Sequence, residues 1–223
     1  MQRFHQGQLD FFCTIYAVIN ALTALYGITL TQARALFATI LSDISAHQRL
    51  WRMTLNNKTD FHWLASHMLL AASKGMSYPL RVFRPFMSDQ ELPESAGNLA
   101  LAVAYNDEAL AGKILYPENE AACWSAFEEW LPLTGTQPKA GTAKRVAVLR
   151  FHRYMHFTDE PVVSHWSVAD HHIGGTFYLR DASKEENALY SLDKTAAVFA
   201  PEMLSGRQNV HIEPSSVFFV ERA

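Results

Sequence analysis

The chain has 223 residues, enough to bury a sizeable core in one large domain or two small ones. Hydrophobic residues make up 49% and charged residues 18%, a globular composition, and a formal net charge of −3 gives no argument for nucleic acid or an anionic membrane as partner. Two cysteines, at positions 13 and 123, exclude a disulfide framework and a Cys-x-x-Cys metal site, and they suit a reducing compartment.

In chain order, residues 12–26 predict a helix that is apolar nearly all round, hence central and buried, with Gly27 as its stop. Thr31 is expected to cap a second helix over 32–44. A third helix is expected within 56–75, capped by Thr59 or Asp60 and closed at Gly75. The period then changes to that of strands at 80–86 and 99–105. A helix over 118–131 follows, then a loop at 135–143, marked by Gly, Pro and Thr. Four further strands are expected at 145–151, 164–170, 176–183 and 216–222. Helices first and strands later predict a single α+β domain over 1–223, with a helical part to about residue 78 packed on a C-terminal antiparallel sheet. No 18-residue apolar run and no charged leader stand in the sequence. A cytoplasmic location without a membrane span is therefore expected, delivery into another cell being left open.

The chemistry starts from the hairpin "SHWSVADHHIGGTFYLRDAS". If its centre lies near 172–174, His165 and Asp181 face each other at its open end, where a carboxylate can orient an imidazole and stabilise its cation. Cys13 stands where the first helix begins, the position that lowers a thiol's pKa. Cysteine, histidine and aspartate then form a triad that only folding can assemble. The backbone N–H of Cys13 and the side-chain amide of Gln8 are the candidate donors to a developing oxyanion. Each residue also has a plainer reading. Cys13 suits a core position, Gln8 a polar N-terminal loop, and His165 a structural strand start. Cys123, before Trp124 on a helix, is a rival nucleophile or a core residue. His171 and His172 are expected on a solvent-facing turn rather than on a metal. His152 and His156 are expected in a loop, Trp166 beside the site or packed, and Asn20 as a tie between its helix and a neighbouring loop.

Glutamine, cysteine at a helix start, then His and Asp on paired strands resembles the layout of papain-like cysteine peptidases. Phe4, His5, Gln8, Cys13, Asn20 and Leu22 are similar to the opening of Josephin-type deubiquitinases. So are His165-Trp166 and "FYLRDAS", with Asp181 where Josephins usually carry Asn. The bacteriocin-processing peptidase domains of ABC exporters share the layout and use Asp, but "FFCTI" lacks their usual Asp-Cys-Gly. The resemblance covers about forty residues at the two ends. It implies a papain-like fold, with Cys13 as nucleophile, His165 as general base and acid, Asp181 as orienter and Gln8 as oxyanion donor. It also implies cleavage of a peptide or isopeptide bond, after Gly-Gly in a peptide or protein substrate, with no cofactor and no metal. Transglutaminase, deamidase or amidase chemistry on the same triad, or a binding module without chemistry, are the alternative expectations.

Overall fold

The computed structural model describes residues 12–48, 51–52, 61–75, 78–86, 120–154, 161, 163–183, 189–205 and 208–223. Gln8, the Thr59 and Asp60 caps and the strand expected at 99–105 lie outside these residues. Four α-helices are described: α1 (Cys13–Tyr26), α2 (Leu30–Ala46), α3 (Phe61–Gly75) and α4 (Glu120–Trp130). α2 begins earlier than its sequence suggested. Its N-cap is Thr29, whose hydroxyl accepts the Gln32 N–H while the Gln32 side chain accepts the Thr29 N–H at 2.8 Å. That reciprocal pair satisfies two donors at once, and it places Thr31 inside the first turn.

The strands are β1 (Leu80–Phe83), β2 (Arg145–Arg153), β3 (Val163–Ile173), β4 (Thr176–Leu179), β5 (Ser191–Asp193), β6 (Ala197–Val198) and β7 (Val210–Arg222). They form one sheet in the order β1-β7-β2-β3-β4-β5, with β6 added in parallel to β7 and every other pairing antiparallel. The architecture is therefore α+β, as the order of sequence periods predicted. β5 and β6 were not anticipated, because runs of three and two residues carry no readable alternation.

Both faces of the sheet are covered. Val146, Val148, Val168, Phe218 and Val220 join the apolar residues of α1, α2 and α3 in one core. Their strand neighbours Ala147, Leu149, Ala169, Val217 and Phe219 point the other way and join Phe83, Cys123, Trp124 and Phe127 in a second. A strand buried on both faces reads as a continuous apolar run, as in "VAVL" and "SVFFV". α4 is fixed by Trp130, which stacks on Phe219 at 5.0 Å, donates Nε1–H to the Val146 carbonyl at 2.9 Å and lies under the Arg145 guanidinium.

The C-terminus of α1 is closed by two glycines in contact. Gly27 takes the left-handed conformation at φ 67°, and Gly141, at φ 78°, sends its N–H to the Thr23 and Ala24 carbonyls, each at 3.0 Å. A Cβ on Gly141 would stand 3.0 Å from the Gly27 nitrogen. Gly141→Ala combines left-handed strain with overpacking, and an unfolding free energy lower by about 2–3 kcal/mol is expected. Urea titration of the two proteins checks it, and equal stability would contradict this contact.

Candidate active site

The β3–β4 hairpin turns at Gly174 (φ 56°) and Gly175 (φ 88°), the left-handed pair that a two-residue hairpin requires. Ile173 pairs with Thr176, so the centre is 174–175 and not 172–174. A register shift between Ala169 and His171 marks a bulge, and β4 ends at Leu179. Asp181 therefore lies two residues beyond its strand and is not the directly paired partner of His165. The side chains meet all the same. His165 Nε2 is 3.1 Å from Asp181 Oδ1, with the two side chains 6% and 0% exposed. The ring N–H is poorly aligned with that oxygen, so the contact is an ion-pair approach at hydrogen-bonding distance with strained bond geometry.

Asp181 is held on its other side by the backbone. Oδ1 accepts the Ser183 N–H at 2.6 Å and Oδ2 the Leu189 N–H at 3.1 Å. Burial alone would raise its carboxyl, but His165 and the Ser183 N–H hold it below its ordinary value.

Cys13 is the first residue of α1 and is half-buried. Its thiol is hydrogen-bonded to His165. With Nε2 turned to Asp181, the other ring nitrogen is the one placed to meet the sulfur. Burial pushes the thiol up, yet the hydrogen bond and charge of His165, with the Trp166 N–H and the Thr14 hydroxyl, bring it below its ordinary value of 9.0. Burial likewise works against the His165 cation, while Asp181 and then Cys13 outweigh it and carry the imidazole up to about 9. His165 lowers the thiol and the thiol raises His165, so each group favours the charged form of the other.

The helix contributes a further element. Its first internal bond runs from the Tyr16 N–H to the Phe12 carbonyl, so the N–H groups of Cys13, Thr14 and Ile15 have no acceptor within the helix. Phe12 supplies no side-chain cap. The Cys13 N–H is thus placed where an oxyanion on the attacked carbon would need a donor.

α1 is tied to the segment that carries Asp181. Asn20, buried in the apolar helix, donates Nδ2–H to the Arg180 carbonyl at 3.3 Å, the tie its sequence position suggested. Arg180 in turn donates its N–H to the Val168 carbonyl at 2.7 Å, Nε–H to Asp170 and a second guanidinium N–H to the Pro138 carbonyl at 2.9 Å. His171 Nδ1 meets Asp170 at 2.6 Å. His171 and His172 are therefore buried and not on a solvent-facing turn. Residues 132–134 cover this end of β3: the His172 N–H reaches the Pro132 carbonyl and the Thr134 N–H the His172 carbonyl. His172 also stacks on Phe177 at 5.4 Å.

Cys123 is fully buried beside Trp124 and Phe127, and burial together with Glu120 pushes its thiol up to about 12. That environment suits core packing and not a nucleophile. Trp166 packs within the first core, 6.0 Å from Phe218. Sequence reasoning missed the supporting groups, which are the Trp166 and Ser183 N–H groups and the Thr14 hydroxyl. Backbone donors leave no residue-type signal, and Thr14 reads as one more helix residue. Comparison with protein-family models, curated proteins and solved structures finds no match to this chain.

Proposed function

We propose that the chain is a cysteine hydrolase that cleaves a peptide or isopeptide bond. The observation that carries the reading is a thiol at a helix N-terminus beside an imidazole that a buried carboxylate holds, the imidazole keeping that thiol below its ordinary pKa. In this mechanism the Cys13 thiolate attacks the carbonyl carbon, and the Cys13 N–H donates to the oxyanion. The C–N bond breaks as His165 gives its proton to the leaving amine, and a thioester remains on Cys13. His165, now neutral, takes a proton from water as its oxygen attacks the thioester. The acid product leaves with the new C–O bond, and the returned proton restores the ion pair. Asp181 keeps the ring oriented and favours its cation throughout. The motif resemblance adds a papain-like fold and a chain ending in Gly-Gly as the acyl side of the substrate. Gln8 would serve beside the Cys13 N–H.

A peptide ending in Gly-Gly with a vinyl ester electrophile tests the reading. A single covalent adduct on Cys13 is expected by mass spectrometry, absent from Cys13→Ala and unaffected by Cys123→Ala. Modification of Cys123, or no adduct with Gly-Gly and control peptides alike, would overturn it.

A further inference from the structure

Away from Cys13, two histidines face each other across the central strands. His152 on β2 is the register partner of His211 on β7, and their rings stack at 5.7 Å and 17°. Glu213 follows His211 by two positions, the spacing that returns a side chain to the same face of a strand. Just beyond, the ladder is interrupted. Leu149 pairs with Val217 and Phe151 with Ile212, so β2 advances two residues while β7 advances five. The displaced stretch contains Glu213 and Ser215, whose hydroxyl donates to Glu213 Oε1 at 2.9 Å.

One donor atom from each of His152, His211 and Glu213 lies within 4.8 Å of the others. Ligands of a tetrahedral zinc ion stand about 3.3 Å apart, from bonds of about 2.0–2.1 Å, so modest side-chain rotation closes the set. The nitrogens are also in the right state of use. His211 is 94% buried, at 6% exposure, and its Nε2 has no hydrogen-bond partner among the described residues. His152 Nδ1 is likewise buried and unpartnered. The Phe199 backbone lies within hydrogen-bonding reach of His211, and Nε2 is the ring nitrogen left without a partner among the described residues, the pattern of a ligating imidazole held by an outer partner. Glu213 is oriented by Ser215 in the same way. Two imidazoles and a carboxylate, each with its outer partner, are a borderline-soft donor set. A second three-residue histidine–carboxylate group among the described residues, Asp43, His47 and His67, differs: His67 Nε2 already meets the Asp43 carboxylate, and His47 is exposed.

We propose that His152, His211 and Glu213 form a binding site for one zinc-class divalent ion, bridging β2 and β7, with a fourth position open to water. The half-buried His152 and Glu213 form its outer side.

Zinc titration by calorimetry tests the site, using the wild-type chain and Cys13→Ala, since a thiolate–imidazole pair can itself take zinc. Cys13→Ala should bind one equivalent with an affinity within about twofold of wild type. His152→Gln, His211→Gln and Glu213→Gln, each checked for folding by circular dichroism, should each weaken binding at least about 10-fold. Because His211→Gln changes a buried residue, Co2+ added to Cys13→Ala, in which the proposed ligands are all present, gives an independent reading. Visible d–d bands without a thiolate-to-metal charge-transfer band are expected. No stoichiometric zinc binding, binding unchanged in the three variants, binding lost in Cys13→Ala, or a thiolate band with Co2+ would each overturn the proposal.

Discussion

His165→Ala will slow alkylation of Cys13 by iodoacetamide at pH 6 by about 10- to 100-fold. An ordinary thiol with a pKa near 8.5 is about 0.3% ionised at that pH, whereas the charge and hydrogen bond of His165 lower the Cys13 pKa and so raise its thiolate fraction. The gain in thiolate fraction is partly offset, because a less basic thiolate is a weaker nucleophile, and tens of fold remain. Without the imidazolium, burial would push the thiol up and the rate would fall below that of a free thiol. The modified site, located by peptide mapping, should be Cys13, with Cys123 unreactive until the chain unfolds. Equal rates for the two proteins at pH 6 would show that His165 does not ionise the thiol.

Asp181→Ala is expected to act on both stability and proton affinity. The carboxylate is fully buried and accepts two backbone N–H groups, so its removal leaves Ser183 and Leu189 donors without an acceptor and His165 without its counter-charge. A loss of about 3 kcal/mol is expected at pH 7, read by urea unfolding. The sign with pH follows from the direction of the shift. A carboxyl held below its ordinary 3.8 stabilises the fold fully above that value, and the contribution fades as pH falls through the lowered one. The gap between wild type and variant should therefore narrow in strong acid. His165 gives the second readout. Its ring should titrate near 9 in the wild-type chain and at least one unit lower in Asp181→Ala, since burial then acts with less opposition. Hydrolysis needs the protonated ring, so its alkaline limb should move down with it. An NMR titration midpoint unchanged by the substitution would remove Asp181 from the role given to it.

The parts of this molecule that were legible in its sequence are those set by period and by residue type. The apolar α1, the alternating runs of β3 and β4, and the order Cys13, His165, Asp181 all announce themselves locally. What the sequence did not carry was set by contact. The Thr29 cap is an exception, because Gln32 three residues after it is a capping-box signature that the sequence displays and that favours Thr29 over Thr31. The bulge beside Asp170 offsets the β3–β4 pairing below it by one position, at the place where a buried aspartate turns to Arg180. His171 and His172 look like turn decoration until residues 132–134 are laid over them from a distant part of the chain. His152 and His211 are 59 positions apart and become neighbours only through the β2–β7 register. Cys123 could be separated from Cys13 only by its surroundings, a full core against a helix end.

Those surroundings also decide how the protein meets oxidants. Cys13 borders the core formed with α1, α2 and α3, whereas Cys123 belongs to the core on the other face, with β2, β3 and β7 between them. No disulfide can join them while the sheet is intact, because their backbones cannot approach to the few ångströms that such a bond requires. A peroxide that converts Cys13 to its sulfenic acid therefore leaves it with no resolving thiol within the chain. Recovery depends on a thiol from the surroundings, and without one a second equivalent of peroxide oxidises the sulfenic acid to the sulfinic acid, which is lost as a nucleophile.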